Sequence, residues 1–274
     1  MNSISKRVAY LLSAVLLVSC GPDVTFSAYT LPAIEGVTAE VSPLREGNEW
    51  SVDVRVRNTT DKEVKIKVAL AAEPHFKADS YLFPGINYNG NDFGNELDLP
   101  GSWDNKKQKM NFPQGLEYEG EPWVFSYDRG SIPSCTISES EERVFALFAS
   151  DKDAKSYVSS CSMEPLEDGS IRHLIYWPVT EAPLCYSDKQ KFSERIDNYI
   201  TLAPGEEFVA TANAFVARPK IKGYGFAEVF PVAWRKIDHT VPAQWSVEEV
   251  LALDKSFWDW CRRQDEHGYW FETI

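Results

Sequence analysis

The stretch "EWSVDVRVRNTTDKEVKIKVAL" constrains the fold more than any other part of the chain. Trp50, Val52, Val54 and Val56 alternate with polar residues, and Val64, Ile66, Val68 and Leu70 do so again. A period of two puts one set of side chains on one face of an extended strand. The turn Asn58-Thr59-Thr60-Asp61 between the runs predicts a β-hairpin with one buried face. Further strands are expected at Val24–Leu31, Val37–Val41, Trp123–Tyr127, Arg143–Ala149, Tyr157–Met163, Ile171–Trp177, Arg195–Leu202 and Glu207–Ala217. Clusters such as "PLEDGS" and "LAPGEE" separate them, with no helical period between. Many short strands with turn signals predict a mainly β fold, an antiparallel sandwich over residues 20–218.

The pattern changes after Pro219. "YGFAEVFPVAWRKIDH" reads as a helix interrupted or begun at Pro231. A second helix is better marked: Ser246 and Glu249 form a capping box before an apolar run. Val247, Val250, Leu251, Phe257, Trp258 and Cys261 make one stripe, which Leu253 and Trp260 widen. Residues 219–274 are therefore expected to be a short helical segment whose aromatic face needs cover. "CRRQDEH" is expected to be its solvated end.

The N-terminus has the form of an export signal. Lys6 and Arg7 precede the apolar run Val8–Val18, which is too short for a stable bilayer span. The run closes on Leu17-Val18-Ser19-Cys20, a pattern resembling the lipobox of bacterial lipoproteins. That resemblance implies cleavage after residue 19 and acylation of Cys20 with chains such as palmitate. Gly21 follows where aspartate would imply inner-membrane retention, so the expected location is the outer membrane, on its periplasmic or cell-surface face. Two or more acyl chains anchor a protein stably.

Loss of residues 1–19, which hold Lys6, Arg7 and no acid, takes the net charge from −13 to −15. Such a chain has no electrostatic reason to bind nucleic acid, and anionic head groups repel its average charge. The expected membrane contact is the acyl anchor alone. Cys135, Cys161, Cys185 and Cys261 remain, open to three full disulfide connectivities or to buried free thiols. No spacing fits zinc, and His75, His173, His239 and His267 are isolated from one another, so no metal or cofactor is expected. There is no P-loop, dinucleotide fingerprint or nucleophile elbow.

One loop stands apart. "LFPGINYNGNDFGNELDLPGSW", Leu82–Trp103, has no hydrophobic period, yet it carries Phe83, Tyr88, Phe93 and Trp103. Structureless loops beyond about 12–15 residues are uncommon and usually functional or disordered. Sugar sites combine flat aromatic walls with a few placed polar groups. Tyr88, Asn89, Asp92, Glu96, Asp98 and Trp103, followed by Trp123 and Tyr127, are the candidate carbohydrate-binding residues. The competing reading is a loop folded back as a plug, its Asn and Gly residues satisfying turns. Asn87, Asn89, Asn91 and Asp98 also approximate calcium-ligand spacing, but Asp92 stands where an EF-hand needs glycine. Asp92, Glu96, Asp98, Glu228 and Asp238 are acids of the type glycoside hydrolysis uses. Among 41 acids no pair can be singled out from spacing, so the catalytic residues stay unknown.

Taken with the lipobox, the motifs Ala233-Trp234-Arg235, Ser246–Glu249, "EHGYWFET", "LFPGINYNGN" and "SIPSCTISE" resemble the N-terminal portion of six-hairpin glycosidase-like proteins. The resemblance covers most of residues 50–272. In that family a β-sandwich precedes an (α/α)6 toroid that carries most of the sugar-cleaving carboxylates. It implies a carbohydrate-active accessory or N-terminal domain of a glycoside-hydrolase-like protein without complete catalytic machinery. It also implies a missing helical domain or partner subunit, the chain being truncated at the first toroid helices. The rival reading is a non-enzymatic surface lipoprotein that binds glycan or a partner protein.

Overall fold

A computed structural model describes residues 18–19, 23–91, 115–150, 157–187, 191–237, 245–266 and 268–271. The chain divides into two compact units, Met1–Ile237 and Asp238–Ile274.

The first unit is mainly β. The strands of its two seven-stranded sheets are β1 (Val18–Ser19), β2 (Val24–Leu31), β3 (Val37–Glu46), β4 (Glu49–Asn58), β5 (Val64–Pro74), β6 (Ser80–Phe83) and β7 (Asn87–Tyr88). Then follow β8 (Val124–Ser126), β9 (Thr136–Glu139), β10 (Val144–Ala149), β11 (Ser160–Pro165), β12 (Ile171–Trp177), β13 (Ile200–Leu202) and β14 (Glu207–Ala217). One seven-stranded sheet runs β3-β4-β14-β10-β9-β6-β7. The other runs β1-β2-β5-β12-β11-β8, with β13 added beside β5. The pairings within both are antiparallel.

The predicted hairpin does not form, although both of its strands do. β4 pairs with β3 and β14, whereas β5 pairs with β2, β12 and β13 in the opposite sheet. A period-two pattern shows which face a strand buries, but not its partner. Here both faces point into one core from opposite sides: Trp50, Val52, Val54 and Val56 meet Val64, Ile66, Val68 and Leu70 in a single cluster.

Asn58 makes the crossing. Fully buried, its side-chain amide donates to the carbonyls of Lys62 (2.7 Å), Leu202 (3.0 Å) and Ala203 (3.1 Å). Its Oδ1 accepts from the Thr60 N–H at 3.0 Å and the Thr60 hydroxyl at 2.7 Å. The connection is an arch between layers, closed by a side chain that satisfies backbone groups a turn would otherwise leave unpaired.

β10, "VFALFA", is buried along its whole length because it is covered on both faces. Phe145, Leu147 and Ala149 enter the core between the sheets. Val144, Ala146 and Phe148 pack instead with Val229, Val232 and Ala233 of α1 (Phe226–Lys236). The first helix thus belongs to the unit ending at Ile237, whereas the sequence places the change of character at residue 219. Pro231 lies within α1 without ending it.

In the second unit, α2 (Val247–Cys261) starts at the predicted capping box. Ser246 Oγ accepts from Glu249 N–H at 3.2 Å, and the Glu249 carboxylate accepts from Ser246 N–H at 2.7 Å. The helix ends at Cys261, and Arg262–Asp265 pairs with Gly268–Phe271 as a hairpin. Val247, Val250, Leu251, Leu253, Phe257 and Trp260 are exposed. No helix among the described residues is long and apolar enough to cross a membrane.

Cys135, Cys161, Cys185 and Cys261 are buried and in no disulfide. Cys135 and Cys161 belong to different core clusters.

Candidate functional site

The candidate loop begins as an ordered edge hairpin. β6 and β7 pair through Leu82 with Tyr88 and Phe83 with Asn87, closing the sheet's edge beside β9. Three asparagines hold its form. Buried Asn87 accepts from Gly90 N–H at 2.9 Å and donates to the Gly115 carbonyl at 2.8 Å. Asn89, at φ 49°, accepts from Tyr81 N–H at 2.9 Å. Asn91, at φ 55°, accepts from Tyr88 N–H at 3.1 Å and donates to the Ile86 carbonyl at 3.0 Å. Asparagine tolerates this left-handed backbone because its short amide can bond locally. The side-chain oxygens of Asn87, Asn89 and Asn91, which resemble calcium ligands in sequence, are therefore engaged by backbone N–H groups.

This frame presents Tyr88. The residue is 50% exposed, and its hydroxyl accepts from Gly85 N–H at 3.1 Å, which fixes the ring's far end. Tyr88 borders a cleft of about 80 Å³ with Ser80, Tyr81, Asn89, Glu139 and Phe226 among its walls. That volume suits a few waters rather than an enclosed sugar ring. A ligand here would lie across the ring instead of entering a pocket.

Glu139 forms the floor. It ends β9, is 6% exposed, and accepts from Gly223 N–H at 2.6 Å and Gly225 N–H at 2.8 Å. Those bonds fix the segment that leads into α1. Gly225 is required by close approach: a Cβ there would lie 2.7 Å from Glu139 Oε2 and 2.8 Å from Val144 Cβ.

The other candidates are distributed differently. Trp123, 1% exposed, is not a surface platform. Its ring stacks on Phe125 at 5.8 Å and contacts Tyr118 at 5.6 Å, in a core cluster that also holds Phe83. Trp123 shares its core cluster with Phe83 of the candidate hairpin. Tyr127 is half-buried at the start of a short 3-10 turn, its N–H donating to Ser159 O at 3.1 Å, and it does not line the Tyr88 cleft. Asp92, Glu96, Asp98, Trp103 and Asp238, with Cys20, lie outside the described residues. Glu228 pairs with Lys220 at 3.0 Å on α1.

Two polar clusters had no signal in the sequence, because their members are far apart along it. Buried Glu181 accepts from Arg129 Nε at 2.6 Å and Nη2 at 3.1 Å, from Ser126 Oγ at 3.0 Å and from the Cys185 thiol. Burial pushes the Glu181 carboxyl up, but the bonds from Arg129, Cys185 and Ser126 outweigh it and hold the group below the usual carboxylate range. Arg129 is raised correspondingly, chiefly by its bond to Glu181. The second cluster centres on His173, fully buried between the sheets and bonded to two hydroxyls. All of these groups are satisfied, so both clusters are structural ties. Among the described residues no group of three His, Cys, Asp or Glu side chains is placed to hold a metal.

No protein-family model and no curated protein matches the chain. Among solved structures it is similar to the Slr1438 protein from Synechocystis sp. PCC 6803, at 11% identity and TM-score 0.36, over 74% of this chain and 65% of that one. It is similar also to a putative aldose 1-epimerase from Escherichia coli K12, at 12% identity and TM-score 0.35, over 76% and 69% of the two chains. A galactose mutarotase-like protein from Lactobacillus casei ATCC 334 gives 12% identity and TM-score 0.38 over 74% and 72%. The chain spans less than two thirds of the Synechocystis protein. None of the three is described as six-hairpin glycosidase-like.

Proposed function

We propose that the chain is an outer-membrane lipoprotein, anchored through Cys20, whose sandwich binds a glycan at the Tyr88 edge. In this reading it is an accessory domain of a glycoside-hydrolase-like system and does not itself cleave the sugar. The observation that carries the reading is Tyr88: an aromatic residue left half-exposed, yet set in a turn fixed by three asparagines and held by a hydroxyl contact. Exposed aromatics whose surroundings are this ordered serve stacking at low entropic cost, because little freedom remains to lose on binding. Binding is favoured over hydrolysis because hydrolysis needs two carboxylates about 5–9.5 Å apart. Among the described residues the cleft offers Glu139 alone, already holding two backbone N–H groups.

The test is retention on polysaccharide affinity gels, with reducing-sugar release assayed in parallel. Tyr88→Ala should lose retention with little change in melting temperature. Tyr88→Phe, which keeps the ring, should retain it, and no sugar should be released. Retention unchanged in Tyr88→Ala, or absent from the wild type across a broad polysaccharide panel, overturns the glycan reading. Sugar release by the purified chain overturns the non-catalytic part.

A further inference from the structure

The chain's charge is acidic on average, but not everywhere. Beside Asp23 lies a cleft of about 320 Å³ whose walls include Arg45, Arg143 and Arg218, with Asp23 and Glu142 as its acids. Three guanidinium groups against two carboxylates invert the balance of a chain that holds 41 acids and 28 basic residues. Arg143 hydrogen-bonds Asp23, and Arg45 lies 3.6 Å from the same carboxylate while its guanidinium covers the Trp50 ring at 4.6 Å. Asp23 thus holds two of the arginines in place. Arg218 is exposed and makes no ion pair among the described residues. The cleft adjoins a second one, through Glu142 and Arg143, where Lys77 and Lys222 face Asp79 and Glu141. The Lys222–Glu141 pair is closed there.

Position decides what such a cleft can meet. Asp23 is three residues from Cys20, and three residues span at most about 11 Å even when fully extended. If Cys20 carries the acyl anchor, Asp23 at the edge of the arginine cleft is held within that reach of it. Guanidinium groups bind phosphate oxygens bidentately and are more weakly hydrated than ammonium groups.

We infer that the Arg45–Arg143–Arg218 cleft receives a phospholipid phosphate, so that this end of the sandwich rests on the membrane. This rests on the anchored-lipoprotein reading. The average charge repels anionic lipid, but repulsion is screened over about 8 Å in physiological salt. A cation cluster at the end of the sandwich nearest the anchor acts on the head groups while more distant acids are screened. Contact at this face would also set the direction of the remaining surface.

The test uses the full chain, purified from membranes and reconstituted in vesicles of phosphatidylethanolamine and phosphatidylglycerol. A fluorophore is placed at exposed Leu44, next to Arg45, through Leu44→Cys. Its quenching by head-group spin-labelled lipid reports proximity, and intact mass reports acylation at Cys20. The expected result is strong quenching that Arg218→Gln reduces at least twofold and that about 0.5 M salt weakens. Arg143→Lys, which keeps the charge but loses the fork, should fall between. Acylation with no head-group quenching, or quenching indifferent to Arg218→Gln and salt, overturns this inference and leaves the anchor intact. Absence of acylation defeats the anchor reading instead, and the inference falls with it. Quenching abolished by millimolar inorganic phosphate in the acylated chain would show a site for free phosphate and overturn the lipid assignment.

Discussion

His173 and Ser138 join the two sheets across the interior: the imidazole Nε2 of β12 lies 2.8 Å from the hydroxyl of β9. The other ring nitrogen, Nδ1, lies 2.8 Å from Thr136 Oγ1 on the same opposing strand. The ring also meets Phe145 edge-on at 4.7 Å. Burial holds the His173 pKa down at about 3, against an ordinary value of 6.5. Between those values the unfolded chain binds a proton that the folded chain does not, so stability falls as pH falls through the window. The slope is at most about 1.4 kcal/mol per pH unit for one group. Thermal melts from pH 6.5 to 5, above most carboxylate titrations, should show this decline. His173→Gln should flatten it while costing some stability at pH 7. Parallel pH profiles for the two proteins would exclude His173 as the source.

Arg129 neutralises a carboxylate that is otherwise enclosed. Arg129→Ala leaves Glu181 buried without its cation and should cost about 3 kcal/mol in urea unfolding at pH 7. Glu181→Gln keeps an acceptor for Arg129 and should cost less. Because the folded Glu181 carboxyl titrates below its unfolded counterpart, the contribution of the pair is present above about pH 4.5 and fades as pH drops further. Equal losses for the two variants would argue against an uncompensated charge.

The arch at Asn58 depends on both ends of one amide. Asn58→Ala removes three donated and two accepted hydrogen bonds and should cost about 2–4 kcal/mol. Asn58→Asp should be at least as damaging at pH 7, since an ionised carboxylate would face three carbonyl oxygens. Chemical denaturation midpoints give the comparison. An aspartate variant as stable as wild type would contradict the described geometry.

Gly225→Ala should disturb the floor of the Tyr88 cleft and the seat of α1 together. The added methyl meets Glu139 Oε2 and Val144 Cβ, and overpacking of this sort costs about 1–3 kcal/mol. A lowered melting temperature with faster amide exchange at the start of α1 is the expected outcome. Unchanged exchange there would place the strain elsewhere.

Much of the strand content was legible because it is local. Val24–Leu31, Ile171–Trp177 and Glu207–Ala217 coincide with their predicted spans, and Ser246 opens its helix through the capping box. Pairing was not legible. The alternation in β4 and β5 fixes a buried face, and nothing in a turn of common polar residues distinguishes a hairpin from an arch. At the candidate site, Tyr88 could be picked out by composition, but Trp123 could not be distinguished as core, since an indole reads alike on a wall and beneath it. Glu181 and His173 acquire meaning only through partners on distant strands.

The crossing at Asn58 bears on how the polypeptide comes together. One layer draws on residues 37–58, 80–88, 136–149 and 207–217, and the other on segments interleaved among them. Neither layer is a contiguous stretch, and the strand that joins β4 to β10 arrives last, at 207–217. Such non-local closure is slow and cooperative. A growing chain emerging N-terminus first can therefore assemble no self-sufficient half, and the sheet of β3, β4 and β14 stays open until residue 217 is free.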